Sequence, residues 1–348
     1  MNNPPDVIRA GYAELIVTDL EQARWFYCDV LGLVVTAEDD DALYLRAYQE
    51  YLHHSLVLRQ GDEPALARLA YRVRSPREVD AAERYFTELG VPTRRVPEGT
   101  TRGIGEAVRI QDPLGFPVEF FYHALHTERL TQHYHMHRAN ALARIDHFNV
   151  VVPDVAAARD YYTSLGFGVS ETIEDSDDNV YAAWLFRKQT VHDIALTGGD
   201  GPRLHHIAFA TNERSQILHT CDMLGALQRE HHIERGPGRH GVSNAFYLYL
   251  RDPDGHRIEV YTSDYYTGDP DNPTIRWDVH DNRRRSFWGH EVATSWYAEA
   301  STVLDLDGRP VPTTEPPHRE SVVSVGADGF GVITEDGVTQ GVKLGHQV

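Results

Sequence analysis

The chain is written twice. "AELIVTDLEQARWFYCDVLGLVV" (13–35) aligns with "FNVVVPDVAAARDYYTSLGFGV" (148–169). Each copy reads as an apolar strand, a turn at Asp19 or Asp154, an amphipathic helix with an aromatic pair (Phe26-Tyr27, Tyr161-Tyr162), and a Leu-Gly stop. Further on, "LARLAYRV" (66–73) matches "LHHIAFAT" (204–211). "IQDPLGFPVEFFY" (110–122) matches "LRDPDGHRIEVY" (250–261), sharing the turn signal Asp-Pro-x-Gly. A repeat of this length must be built from one supersecondary unit used several times. The spacing predicts four βαβββ units, beginning near residues 11, 66, 144 and 203, with second-unit helices over 75–90 and 212–225.

The expected fold class is therefore α+β, with tandem βαβββ modules curling into two open barrels. The organisation expected is an N-terminal pair of modules (1–125), a polar, His-rich linker (126–143), a C-terminal pair (144–265), and a C-terminal arm and tail (266–348). "DYYTGDPDNPTIRWDVHDNRRRSFWGHE" breaks the repeat and reads as an ordered arm packed on the body. The Gly/Val-rich end reads as short strands or tail.

Duplication supplies an internal control. Side chains alternate across a strand, so "RIDHFNVVV" sets Ile145, His147, Asn149 and Val151 on one face. In "LHHIAFA", His206 shares a face with Leu204, Ala208 and Ala210, whereas His205 goes outward with Ile207 and Phe209. "HRIEVYT" aims Glu259 with Arg257 and Tyr261. If the units close into a barrel, His147, His206 and Glu259 converge inside it. The matching N-terminal positions are about Tyr12, Arg68 and Glu119, of which only the carboxylate is kept. Two imidazoles and one carboxylate with open positions left over form the facial triad of non-haem iron sites, and Mn(II) can use the same ligands. The chain carries 20 histidines, so most have other roles. "HYHMH" (133–137) alternates like a strand but lacks a suitably spaced carboxylate and reads as a solvated segment, and His53-His54 and His231-His232 read similarly.

Composition excludes several classes. A net charge of −19 argues against nucleic acid and anionic membrane partners. No apolar run approaches a membrane span, and no signal peptide is visible. Cys28 and Cys221 are the only cysteines, which makes a reducing cytoplasm the expected compartment. There is no CxxC, GxSxG or P-loop pattern.

Three runs carry a likeness to a known family: "RIDHFNVVVPD", "YAAWLFRKQTVHDIALTGGDGPRLHHIAFAT" and "IERGPGRHGVSNAFYLYLRDPDGHRIEVYTSDYYTGDPDNPTIRWDVHDNRRR". The chain resembles the extradiol ring-cleaving catechol dioxygenases of the vicinal-oxygen-chelate superfamily, strongly over about 140–300 and weakly beyond about 310. The resemblance implies His147, His206 and Glu259 as ligands of one Fe(II) or Mn(II) per subunit, with no organic cofactor. It implies His192 as the acid/base histidine, on the strand next to the ligands, and Tyr249 beside the substrate oxygens. Asn149 and Trp184 would line the pocket, and Arg235, His240 and Arg284 would hold a substrate carboxylate. Sequence alone does not say which of Arg283, Arg284 and Arg285 turns inward. The partners implied are O2 and a catechol with a carboxylate side chain, such as 3,4-dihydroxyphenylacetate, acted on by a homotetramer whose arm closes over the pocket. Cleavage of another substituted catechol, or glyoxalase-like isomerase or transferase chemistry, are the alternatives on the same fold. A metal-free protein that sequesters an aromatic ligand is the non-enzymatic one.

Overall fold

The computed structural model describes residues 3–138 and 140–317, together with the backbone of three short strands, Val323–Val325, Phe330–Glu335 and Val338–Lys343, which pair with one another. The rest of the Gly/Val-rich tail lies outside the described residues.

Four βαβββ units follow in order. The first comprises β1 (Val7–Val17), α1 (Leu20–Arg24, continued by a π-helical turn Trp25–Val30), β2 (Val34–Asp39), β3 (Ala42–Arg46) and β4 (Leu56–Gln60). The second is β5 (Ala65–Val73), α2 (Pro76–Glu88), β6 (Thr93–Val96), β7 (Ala107–Gln111) and β8 (Pro117–Phe121). The C-terminal half repeats the plan as β9 (Arg144–Val152), α3 (Val155–Ser164), β10 (Gly168–Glu174), β11 (Val180–Phe186) and β12 (Ile194–Gly198). It continues with β13 (Arg203–Ala210), α4 (Arg214–Ala226), β14 (Ile233–Arg239), β15 (Phe246–Arg251) and β16 (Arg257–Thr262).

The repeated sequence signals have identifiable work. Asp19 accepts from the backbone N–H groups of Glu21 and Gln22, and Asp154 from that of Ala157, so each is the N-cap of its helix. The Leu-Gly stops put Gly32 at φ 79° and Gly166 at φ 84°, where a side chain is disfavoured. At Gly32 a Cβ would also stand 2.3 Å from the Arg138 carbonyl.

Each half forms one sheet. The N-terminal order is β2-β3-β4-β1-β5-β8-β7-β6, and the C-terminal order is β14-β15-β16-β13-β9-β12-β11-β10. The first strands of paired units lie antiparallel at the centre (β1·β5, β9·β13), and each is flanked by the fourth strand of its own unit in parallel. His147, His206 and Glu259 therefore fall on three adjacent strands, β9, β13 and β16. The apolar sides of both sheets and the helices share one core, which includes Phe26, Tyr71, Phe120, Phe148 and Tyr162.

The arm does more than lie on the body. Its strand β17 (Ile275–Asp278) extends the C-terminal sheet alongside β10. The short helix α5 (Ser295–Ala298) follows, and β18 (Thr302–Val303) then pairs with β5 of the N-terminal sheet. The segment "HYHMH" is solvated as expected but not a strand: Tyr134–Met136 is a single 3₁₀ turn, mostly exposed, whereas His53, His54 and His232 are buried rather than solvated. Among the described residues no helix is long and apolar enough to cross a membrane.

Candidate metal centre and its pocket

The three strands deliver their side chains to one point. His147 Nε2 lies 3.3 Å from His206 Nε2 and 3.1 Å from Glu259 Oε2, and His206 Nε2 is 3.2 Å from the same oxygen. All three residues are buried. Among the described residues no other trio of His, Cys, Asp or Glu atoms gathers in this way.

Hydrogen-bond partners on the far side of each ring fix what converges. His147 Nδ1 is 3.0 Å from Asp146 Oδ2. Burial alone would raise the Asp146 carboxyl, but Lys188, the hydrogen bond to His147 and Arg144 hold it well below the usual range. An ionised carboxylate only accepts, so Nδ1 carries a hydrogen, and in the neutral ring Nε2 is the nitrogen whose lone pair a metal ion would take. His206 is set by a longer relay. His205 Nε2 is 3.0 Å from the Trp296 carbonyl oxygen, which can only accept, so this nitrogen is protonated. Burial, then Arg257, pushes the His205 imidazole well below its ordinary pKa and keeps it neutral. Its Nδ1 is then an acceptor, and His206 Nδ1, 2.7 Å away, must donate to it. His206 Nε2 is left bare. Two nitrogen lone pairs and a carboxylate oxygen thus face one another at 3.1–3.3 Å. That arrangement fits one divalent ion, whose donors at roughly 2.1 Å would stand about 3 Å apart.

This corrects the outward placement of His205. Leu204 pairs with Val150 and His206 with Asn149, so His205 is the extra residue of a β-bulge. The bulge cancels the alternation and brings His205 to the pocket, against His206 and Trp296.

His192 also departs from its expected element. It lies in the loop two residues before β12, not on the strand. Asp193 shapes that loop by accepting from the backbone N–H groups of Ala10, Arg187 and Lys188. His192 is buried, with its ring centroid 3.7 Å from that of His147, and its Nδ1 finds no protein partner. Burial, then His147, holds its imidazole well below the usual range.

A cavity of about 430 Å³ opens over the trio, lined by every residue expected at the site: Asn149, Trp184, His192, Arg235, His240, Tyr249 and Arg284 besides the three ligands. Asn149 Oδ1 accepts from Thr197. Tyr249 pairs with Glu259 across β15 and β16. His240 Nδ1 donates to the Arg285 carbonyl at 2.6 Å, and its Nε2 accepts from Tyr249 Oη at 2.9 Å. Burial, then Arg235, lowers the His240 pKa to about 3, which keeps it neutral. Arg235 is buried and donates to the Arg285 carbonyl, with its guanidinium 4.4 Å from the Trp296 ring centroid. Of the three consecutive arginines, Arg284 and Arg285 line the cavity, while Arg283 points to solvent and pairs with Asp281. Sequence reasoning passed over Asp146 and Trp296, placed His205 on the outer face, and left open whether Arg285 turns inward. Asp146 was visible as a carboxylate adjacent to a ligand histidine, but nothing local announces Trp296.

The duplicate site in the N-terminal half is assembled but filled differently. Tyr12 Oη donates to Glu119 Oε1 at 2.6 Å, Arg109 Nε donates to Oε2 at 2.7 Å, and Arg68 stands 3.6 Å from Oε2. Arg109 faces Glu119 as Tyr249 faces Glu259. Two guanidiniums and a phenol there neutralise the carboxylate that in the other half faces two imidazoles.

Comparison with known proteins places these features. The sequence family described as Glyoxalase/Bleomycin resistance protein/Dioxygenase superfamily matches residues 9–120 and 144–260. A manganese-dependent 2,3-dihydroxybiphenyl 1,2-dioxygenase of Geobacillus genomosp. 3 is 31% identical, over 81% of this chain and 94% of its own. Homoprotocatechuate 2,3-dioxygenase of Arthrobacter globiformis is 63% identical, with TM-score 0.89 over 90% of this chain and 97% of that one. The Brevibacterium fuscum enzyme in its anaerobic complex with 3,4-dihydroxyphenylacetate is 57% identical, with TM-score 0.89 over 90% and 98%.

Proposed function

Because the chain belongs to the glyoxalase/bleomycin resistance protein/dioxygenase superfamily, and within it to the extradiol dioxygenases, we propose that it uses O2 to open the ring of 3,4-dihydroxyphenylacetate beside its diol, giving 5-carboxymethyl-2-hydroxymuconic semialdehyde. One observation carries the reading: a buried His147–His206–Glu259 trio of bare donor atoms shares its cavity with inward-facing arginines. His147, His206 and Glu259 would hold Fe(II) or Mn(II), which supplies a path for electrons between a chelated diol and O2 that spin conservation otherwise keeps from reacting.

The remaining work falls to the protein. Arg235 and Arg284 set the arylacetate carboxylate, a partner for which guanidinium geometry is suited. That anchor fixes which edge of the ring faces the trio. His192, neutral and with Nδ1 unpartnered, accepts and returns the proton of the diol. His240 was expected to share the carboxylate, but its two ring nitrogens engage the Arg285 carbonyl and Tyr249, so its role here is to orient Tyr249, whose oxygen faces the substrate oxygens. Asn149 and Trp184 form the wall, and Trp296 with the arm excludes water. On the same reading residues 1–125 are scaffold, 126–143 linker, 144–265 the catalytic half and 266–348 the closing arm. Cytoplasmic location and a homotetramer belong to this proposal. The two unpaired cysteines support the first, and the family likeness the second.

The test is to mix the Fe(II)- or Mn(II)-loaded chain with 3,4-dihydroxyphenylacetate in air, following oxygen and visible absorbance together. The expected result is a yellow semialdehyde growing one-for-one with oxygen uptake. Isomerisation of the substrate, or binding without oxygen uptake, would overturn the assignment.

A further inference from the structure

The relay behind His206 ends on the arm. The acceptor that forces His205 to keep its hydrogen on Nε2 is the backbone carbonyl of Trp296, in α5. The arm is held against β13 at this place by several bonds. Leu204 and Ser301 exchange backbone hydrogen bonds, and Arg257 donates to the carbonyls of His205, Ser295 and Glu299. With the arm docked, His205 Nδ1 is an acceptor, and His206 offers its Nε2 lone pair to the trio. With the Trp296 carbonyl withdrawn, nothing prevents His205 from adopting the other tautomer. Its Nδ1–H would then point at His206 Nδ1, the hydrogen on His206 would move to Nε2, and the lone pair there would be lost.

Resting on the metal-dependent reading above, we propose that His205 is a positioning residue through which the docked arm fixes the tautomer of His206, so that arm docking and metal binding strengthen each other. Such coupling is reciprocal: what the arm adds to metal affinity, the metal adds to arm docking. The arm also carries Trp296 over Arg235, so one movement closes the pocket and completes the donor set.

Two measurements on the full chain test this. The first is Mn(II) affinity by competition with a fluorescent chelator. His205→Leu removes both ring nitrogens, and the affinity should fall 10- to 100-fold, as for other residues that orient a metal-binding imidazole. His205→Gln can donate from its amide to the Trp296 carbonyl and accept from His206, and should stay within about 3-fold of wild type. The second uses the exposed Phe287 and Trp288, just ahead of α5, as chymotrypsin sites. Mn(II) should slow cleavage there in the wild type, and the protection should vanish in His205→Leu. Wild-type affinity in His205→Leu, or wild-type cleavage indifferent to Mn(II), would overturn the relay while leaving the enzyme assignment standing. A wild-type chain that binds no Mn(II) or Fe(II) would overturn both.

Discussion

His192 and His147 stack ring on ring, with centroids 3.7 Å apart and planes tilted by 40°. One ring belongs to the donor trio and the other does not. That contact sets His192 directly beside the trio, within the same cavity. His192→Phe keeps the ring packing and removes both nitrogens. It should retain the metal and lower kcat by about 10²- to 10⁴-fold, the usual share of a positioned acid/base. Metal analysis beside steady-state kinetics checks this, and an unchanged kcat would remove His192 from the proton path.

Asp146 is the hinge of the other relay. Asp146→Asn allows a donated hydrogen where the carboxylate only accepts, which frees His147 to turn its N–H toward the trio. Mn(II) affinity should drop about 10- to 100-fold in chelator competition, with the fold intact by circular dichroism.

Arginine selectivity separates a carboxylate anchor from a general wall. Arg235→Ala and Arg284→Ala should each raise KM for 3,4-dihydroxyphenylacetate about 10- to 100-fold, the worth of one charge-assisted contact. The KM for 4-methylcatechol, which lacks the carboxylate, should move by less than about 3-fold. Arg283→Ala, on the solvent side of the same turn, should leave both unchanged. An equal rise for both substrates would remove the anchor role.

Glu234 ties the arm electrostatically. Its carboxylate accepts from Arg257, Arg251 and Ser295. Burial would raise it, but Arg257 and then Arg251 bring it down to about 2. A carboxyl depressed on folding adds stability that is present above its ordinary pKa and is lost as pH falls toward the folded value. The window here runs from about 4.5 down to about 2, and the contribution, reduced by solvent screening, is about 1–2 kcal/mol. Urea unfolding of Glu234→Gln should show a deficit of that order at pH 7 that shrinks below pH 4.5. A deficit independent of pH would mean the charge is not what matters.

Much of this was readable from the sequence, for a physical reason. Strand alternation is a strong constraint, and duplication let His147, His206 and Glu259 be compared with Tyr12, Arg68 and Glu119, which occupy the equivalent strands β1, β5 and β8 of the N-terminal half. The four units and their helix caps follow from local signals carried by Asp19, Asp154 and the Leu-Gly stops. What alternation could not carry was its own interruption. The bulge at His205 arises from pairing with β9, and a period-2 pattern has no way to mark an inserted residue. His192 was displaced from strand to loop by Asp193, whose backbone partners include Ala10 of the other half. Trp296 and Arg285 reach the pocket through the path of the arm, which depends on contacts with both sheets.

Metal binding in this chain depends on a single gathering of donors in the C-terminal half, with its N-terminal counterpart closed by Arg68 and Arg109. Metal per chain by inductively coupled plasma mass spectrometry, after Mn(II) or Fe(II) loading and desalting, reads this directly. One ion per wild-type chain and none in His206→Ala is the predicted result. Two ions per chain, or an ion that persists in His206→Ala, would contradict it.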